Sequence, residues 1–308
     1  MIYRIRHVTS YEFSSAVTAS HHIAHLIPRG TPSQRVRHTE LQITPPAGDS
    51  MSHVDNFGNR FLHFSLDEPH TSLTVTASSE VELLADSRRR RDRPADIAWE
   101  AATTAGSRHR EALEFLLPSP LVPDGEAATI FAREVFTPRR SLRDGIEELT
   151  RRIHREFRHQ PGATHAATPA DQVMQRREGV CQDFAHVAIA ALRSVGLPAR
   201  YVSGYVETMP PPGEEQLVGS GCSHGWASVL HPDGHWIDFD PANDLVEPAS
   251  HVTVAWGRDH TDVIPIKGVI ASGGAVCAMT VSVDVERHAP RSTTRRAPGR
   301  GVRPRATS

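Results

Sequence analysis

Apolar and polar residues alternate strictly along SLTVTASSEVELL. Leu73, Val75, Ala77, Val81 and Leu83 therefore share one face of a β-strand. Arg60 to Leu66 follows the turn cluster Asp55-Asn56-Phe57-Gly58-Asn59, and Tyr3 to Tyr11 and Glu40 to Thr44 carry the same strand signal. Residues 1–84 read as a small β domain built mostly of hairpins. From residue 124 the period changes. SLRDGIEELTRRIHREF spaces Leu142, Ile146, Leu149, Ile153 and Phe157 by three and four, with Ser141 and Asp144 as a capping box. A second helix is predicted from Thr168 as N-cap, Pro169 in the first position and Asp171, stopping at Gly179. A third runs from about Val180 to Val195 and ends at Gly196.

Strands follow at 200–206, 224–230 and 235–240, with further apolar candidates at 252–256 and 279–285. The expected organisation is a β domain at 1–84, a linker at 85–123, an α+β domain at 124–286 and a disordered Arg-rich tail at 287–308. Residues 88–94, five arginines with one aspartate before a proline, read as solvated linker. The polar segment 207–222 reads as a long loop of the kind that forms lids or binding loops.

Composition narrows the function. The 308 residues are 38% hydrophobic and 23% charged, with a formal net charge of -2, so no general attraction to nucleic acid or membrane is expected. No run approaches the apolar length of a membrane span, and the first residues lack the core of a signal peptide. Three cysteines are too few for a disulfide framework, which suits a reducing compartment; a cytoplasmic location is expected. P-loop, dinucleotide-binding, H-E-x-x-H and G-x-S-x-G signatures are absent.

The chemistry concentrates in two stretches. GVCQDFAH sets Cys181 at a predicted helix head, where the first-turn N–H groups and the helix dipole favour a thiolate and could receive an oxyanion. The second oxyanion donor has only a weak candidate, Gln175. SHGWASVLHPDGHWIDFDPAND holds two strands around Pro232-Asp233-Gly234, a three-residue hairpin with Gly in the left-handed position. That register sets His231 opposite His235 and Trp226 opposite Asp240. His224 then lies one diagonal step from Asp240 on the same face, roughly 7 Å at the backbone. A carboxylate there can orient a histidine base. Taken singly, each residue has a plainer reading: cysteine as buried filler, which also serves for Cys277, histidine as one of 19, and aspartate as a turn former. A zinc set of Cys181, His186, Cys222 and His224 can be drawn, but its spacing fits no finger or ribbon.

At these residues the chain resembles the bacterial transglutaminase-like family, relatives of papain-fold cysteine peptidases and animal transglutaminases. RREGVCQDFAHVAIAALRSVGLPARYVSGYVET and CSHGWASVLHPDGHWIDFDPAND carry the likeness, with SYEFSSAV, HLIPRG and DNFGN in the β region and WGRDHTDVIPIKGVI beyond it. The resemblance implies an α+β, papain-like fold in which the cysteine helix packs on an antiparallel sheet bearing His and Asp. It places the nucleophile on Cys181, the histidine on His224 and the aspartate on Asp240. It implies a thiol enzyme acting on a peptide or protein amide through an acyl-enzyme; no calcium loop of EF-hand type is present, so an enzyme without metal or cofactor is expected. Hydrolysis and amine transfer both remain open, with a lean to hydrolysis, and a non-catalytic binding module or a structural zinc protein are the competing classes. Gly225 and Ala242 depart from the alanine and threonine usual at those positions.

Overall fold

The computed structural model describes residues 1–84, 97–106, 109–207 and 223–288. Six strands open the chain: β1 (Ile2–Val17), β2 (Ala19–Ala24), β3 (Gln34–Thr44), β4 (Asp49–Val54), β5 (Arg60–Leu66) and β6 (His70–Leu83). The alternation in β6 is realised, with Leu73, Val75, Ala77 and Val81 buried. Two four-stranded antiparallel sheets result, ordered β15-β1-β6-β3 and β14-β2-β5-β4. Their shared core contains Phe13, Val17, Phe64, Leu66, Leu73 and Val75.

The helices α1 (Trp99–Gly106), α2 (Glu126–Val135), α3 (Leu142–Glu156), α4 (Ala170–Arg176) and α5 (Cys181–Ser194) follow, with a short parallel pair β7 (Arg158–His159) and β8 (Glu178–Gly179). Helix α3 buries Leu142, Ile146, Leu149 and Ile153 and is capped by Ser141, whose hydroxyl accepts from the Asp144 N–H at 3.0 Å. Helix α4 begins one residue later than its sequence suggests. The Thr168 hydroxyl accepts from the His165 N–H at 3.0 Å instead, leaving Pro169 at the N-cap. Helix α5 is buried nearly all round, the pattern of a central helix.

A five-stranded antiparallel sheet, ordered β12-β11-β10-β9-β13, packs on α5. It comprises β9 (Ala199–Val206), β10 (His224–Leu230), β11 (Trp236–Asp240), β12 (Leu245–Val246) and β13 (His251–Gly257). Ala227, Val229, Ile237, Phe239 and Tyr201 meet the helices in one core. On the opposite face Phe115 meets Trp236 edge-on at 5.3 Å, and the N-terminal unit meets the sheet at β13. Gln34 brackets Thr253, accepting from its N–H at 2.9 Å and donating to its carbonyl at 2.7 Å. Asn59 does the same to Trp256 at 3.0 and 2.7 Å. Two side-chain amides thereby satisfy the outer edge of β13 as a neighbouring strand would.

The expected boundaries shift in two places. Strands β14 (Ile266–Ser272) and β15 (Val276–His288) do not extend the α+β domain; they complete the N-terminal sheets, β14 on β2 and β15 on β1 from Ile2↔His288 to Phe13↔Val276. The alternation of these segments marks strands but carries no information about which distant edge they join. The stretch 85–123 is also more than a linker, because α1 and a 3-10 turn at Arg110–Leu116 lie within it and Ala102 and Val122 enter the main core. The arginine run falls outside the described residues, as do most of the 207–222 loop and the tail beyond His288. Cys277, expected as buried filler, is exposed on β15, its thiol against the Glu12 carbonyl at 3.3 Å.

Candidate active site

Cys181 is the first residue of α5, and the chain leading to it is fixed locally. β8 pairs with β7, and the Gly179 carbonyl accepts from the Gln160 N–H at 2.9 Å. The Asp183 carboxylate folds back to accept from the Val180 N–H at 2.8 Å and from the Thr164 hydroxyl at 2.6 Å. Gly179 is required by this arrangement, because a Cβ there would come within 2.6 Å of the Asp183 carboxylate. Burial pushes the Asp183 carboxyl up, with the Thr164 and Val180 hydrogen bonds opposing. Val180, the N-cap, has no side-chain acceptor, so the first-turn N–H groups of α5 carry no side-chain cap.

The Pro-Asp-Gly hairpin forms as its turn chemistry dictates. Gly234 has φ +93, and the His231 N–H donates to the His235 carbonyl at 2.8 Å. The ladder runs from Leu230↔Trp236 to Ala227↔Phe239, so the next residues outward, Trp226 and Asp240, face each other. His224 Nε2 donates to Asp240 Oδ2 at 2.7 Å. The Cys181 sulfur also acts on this imidazole, its charge favouring the protonated ring. Cys181, His224 and Asp240, drawn from a helix head and two strands, are brought together.

Asp240 is fully buried and accepts five hydrogen bonds. Oδ2 takes His224 Nε2, His251 Nε2 at 2.8 Å and Asn243 Nδ2 at 2.7 Å; Oδ1 takes the backbone N–H of Ala242 at 3.0 Å and of Asn243 at 3.3 Å. Burial would push this carboxyl up, but the bonds from His224 and His251 prevail and hold it well below the usual carboxylate range. Burial likewise opposes protonation of His224, yet the bonds to Asp240 and Cys181 and the negative charge at both push it up to about 10. These partners favour the imidazolium form of His224.

Sequence reasoning missed His251 and Asn243. Asn243 was legible, since Asp-Pro-x-Asn is an Asx-turn pattern that returns N–H groups to the aspartate. His251 was not: its position follows only from the pairing of β13 with β9. Its ring meets Trp226 edge-on at 4.9 Å. Gln175 lies exposed on α4, and among the described residues no hydrogen bond joins it to Cys181 or His224. A different hydroxyl lies near the thiol. The buried Tyr201 phenol, pushed well above its ordinary value by burial and then by charge at Cys181, sits against Gly225. A Cβ at Gly225 would fall 2.2 Å from its oxygen, so glycine makes room for the phenol.

Of the possible zinc set, Cys222 lies outside the described residues. His186 is fully buried, with Nε2 accepting from the His260 N–H at 3.2 Å and its ring 5.1 Å from Tyr201, a structural placement. Two groups could hold a metal ion by proximity alone, His224 with Asp240 and His251, and His231 with Asp233 and His235 at the hairpin turn. In the first, Asp240 accepts from both rings; in the second, His235 bonds the Asp233 carboxylate and His231 Nδ1 accepts from the Asp233 N–H at 3.4 Å, so hydrogen bonding accounts for the convergence. Among the described residues no helix is long and apolar enough to cross a membrane.

Comparison with known proteins agrees with this architecture. Residues 3–82 match the bacterial transglutaminase-like N-terminal region and residues 130–241 the transglutaminase-like superfamily, the second span holding Cys181, His224 and Asp240. An uncharacterized protein of Mycobacterium tuberculosis is 38% identical over 293 residues, covering 92% of each chain. A 103-residue segment, 31% of this chain, is 30% identical to a protein-glutamine gamma-glutamyltransferase of Pseudomonas aeruginosa and spans 15% of it. The solved structure of a candidate cysteine protease from Cytophaga hutchinsonii superposes with a TM-score of 0.73 at 23% identity, covering 94% of this chain and 92% of that one. The fold is the transglutaminase-like, papain-like one.

Proposed function

The chain belongs to the bacterial transglutaminase-like family, and from that premise we propose that it is a thiol acyl-transfer enzyme acting on amide bonds of a peptide or protein. The Cys181 sulfur attacks the carbonyl carbon, and the uncapped N–H groups at the head of α5 receive the developing oxyanion. As the C–N bond breaks, the His224 imidazolium gives its proton to the departing amine. A thioester remains on Cys181. His224, now neutral, removes a proton from the incoming nucleophile, and the C–S bond breaks. Asp240 orients the imidazole and stabilises its charged form throughout. One observation carries this reading: the His224 ring is bonded to Asp240 at 2.7 Å, and charge at Cys181 favours its protonated form.

We favour water as the nucleophile, which makes the protein a peptidase or amidase. Amine transfer is the second reading, supported by the segment shared with the P. aeruginosa protein named as a gamma-glutamyltransferase. A glutamine-containing peptide library, offered with and without a primary amine and read by mass spectrometry, separates the two. Cleavage or deamidation supports hydrolysis, and incorporated amine supports transfer. Absence of any product would overturn the enzyme reading in favour of a binding module. Iodoacetamide provides an internal comparison, because Cys277 is exposed and lies on a different sheet. Cys181 should be alkylated faster at neutral pH, and the advantage should vanish in His224→Ala.

A further inference from the structure

The face of the central sheet that carries Asp240 holds a second polar cluster, one step further along the strands. Arg200, Ser228 and Asp238 form a single cross-strand row, because Ser228 pairs with Arg200 on one side and Asp238 on the other. Ser228 is fully buried and Arg200 is 6% exposed. Arg200 Nε, Ser228 Oγ and Asp238 Oδ1 each lack a hydrogen-bond partner among the described residues, as does Trp226 Nε1 in the neighbouring row. Buried polar groups are ordinarily partnered, and four such atoms on one patch of sheet call for an explanation.

Arg200 and Asp238 face a cavity of about 1030 Å³ between this sheet and the N-terminal unit. Arg29, Trp236 and Trp256 share its wall. The Arg200 guanidinium carbon lies 3.7 Å from the centre of the Trp256 ring and 4.1 Å from that of Trp236. Arg29 stacks on Trp256 at 3.1 Å. Two guanidiniums this close to one ring must take its opposite faces, so the order is Arg29, Trp256, Arg200, Trp236. With indoles over its planar faces, Arg200 has only its edge of N–H groups left for recognition. That edge matches a carboxylate. Asp238 attracts Arg200 electrostatically, yet each keeps an unpartnered atom. One acceptor and one donor edge, held apart on the same floor, complement a molecule carrying both charges.

We propose that this cavity binds a small zwitterion, a free amino acid or short peptide, with its carboxylate on the edge of Arg200 and its ammonium group on Asp238. The site is separate from Cys181 but adjoins its machinery. Trp226, which stands opposite Asp240 and touches His251, lies between the two.

The test uses the full chain with Cys181→Ser, so that no probe is consumed and the result is independent of the acyl-transfer reading. L-alanine and the dipeptide Ala-Ala are titrated at millimolar concentrations, followed by calorimetry and by the fluorescence of the wall tryptophans. Acetate and ethylamine supply each charge alone. Saturable binding of alanine or Ala-Ala is expected, at least tenfold tighter than either single-charge probe; the tighter of the two identifies the free amino acid or the peptide. Asp238→Asn should weaken it at least tenfold, and Arg200→Lys should do the same because a point charge replaces the planar fork. If Arg200→Lys fails to fold, as its thermal transition would reveal, Asp238→Asn decides alone. No saturable binding, acetate binding as tightly as alanine, or unchanged affinity in Asp238→Asn would each overturn the proposal.

Discussion

Asp240 and Asp238 stand two residues apart on one strand and on one face, and they are built in opposite ways. Asp240 is fully buried and accepts five hydrogen bonds. Asp238 is half-buried and leaves Oδ1 without a partner among the described residues. A carboxylate saturated from five directions has its orientation fixed and can impose one on the imidazole it holds. A carboxylate left under-bonded cannot orient anything until another group arrives. The same residue type on the same scaffold thus serves as a fixed support in one row and as a receptor group in the next.

The sharpest way to break this contrast is to neutralise each carboxylate in turn. Asp240→Asn should lower kcat on the substrate found by the peptide screen by on the order of 10⁴, the loss seen when a triad aspartate no longer sets the histidine's tautomer. Asp238→Asn should change kcat by less than threefold. Steady-state kinetics of both variants checks this, and comparable losses would erase the distinction.

Stability should separate them next. Removing the charge of Asp240 strands the buried His224 and His251 partners and should cost about 3–5 kcal/mol in urea melts. Asp238→Asn removes a weaker attraction to Arg200 and should cost clearly less.

The pH dependence sharpens the point. The His224 contribution is complete below the ordinary imidazole value of 6.5 and fades as pH rises through about 10. Asp240, held below its ordinary 3.8, contributes fully above that value and less as pH falls beneath it. The stability difference between wild type and Asp240→Asn should therefore be greatest from about pH 4 to 6.5 and shrink toward pH 10. Melts across that range measure it.

The smallest effect belongs to Gly225. Gly225→Ala brings a Cβ against the Tyr201 phenol and should cost about 1–3 kcal/mol through overpacking, with partial recovery in the Gly225→Ala, Tyr201→Phe double variant. A double-mutant cycle by thermal melting reports the coupling.

What could be read in advance divides along the same physical line. The His224–Asp240 pair was legible because a three-residue turn sets register locally, and register sets faces. Helix α3 was legible from its spacing of three and four. Local rules did not join Cys181 to that pair; the contact came from the resemblance. They also did not find His251, whose side chain reaches Asp240 only through the β13–β9–β10–β11 ladder. The homes of β14 and β15 and the exposure of Cys277 were hidden for the same reason. Pairing across more than 200 residues leaves no periodic trace in either segment.

The partnership of β1 with β15 has a consequence in time. β1 finds β6 on one edge within some seventy residues, but its other edge waits for residues 276–288. As the chain leaves the ribosome, that edge stays bare while the whole catalytic unit is made. Arg4 and Arg6, exposed along β1, are charges of the kind that discourage pairing with a stranger during the wait. A chain halted after residue 263 would keep the bare edge permanently, and sedimentation should find it more self-associated than the 308-residue chain. Among the described strands, β15 is the one that seals the free edge of β1.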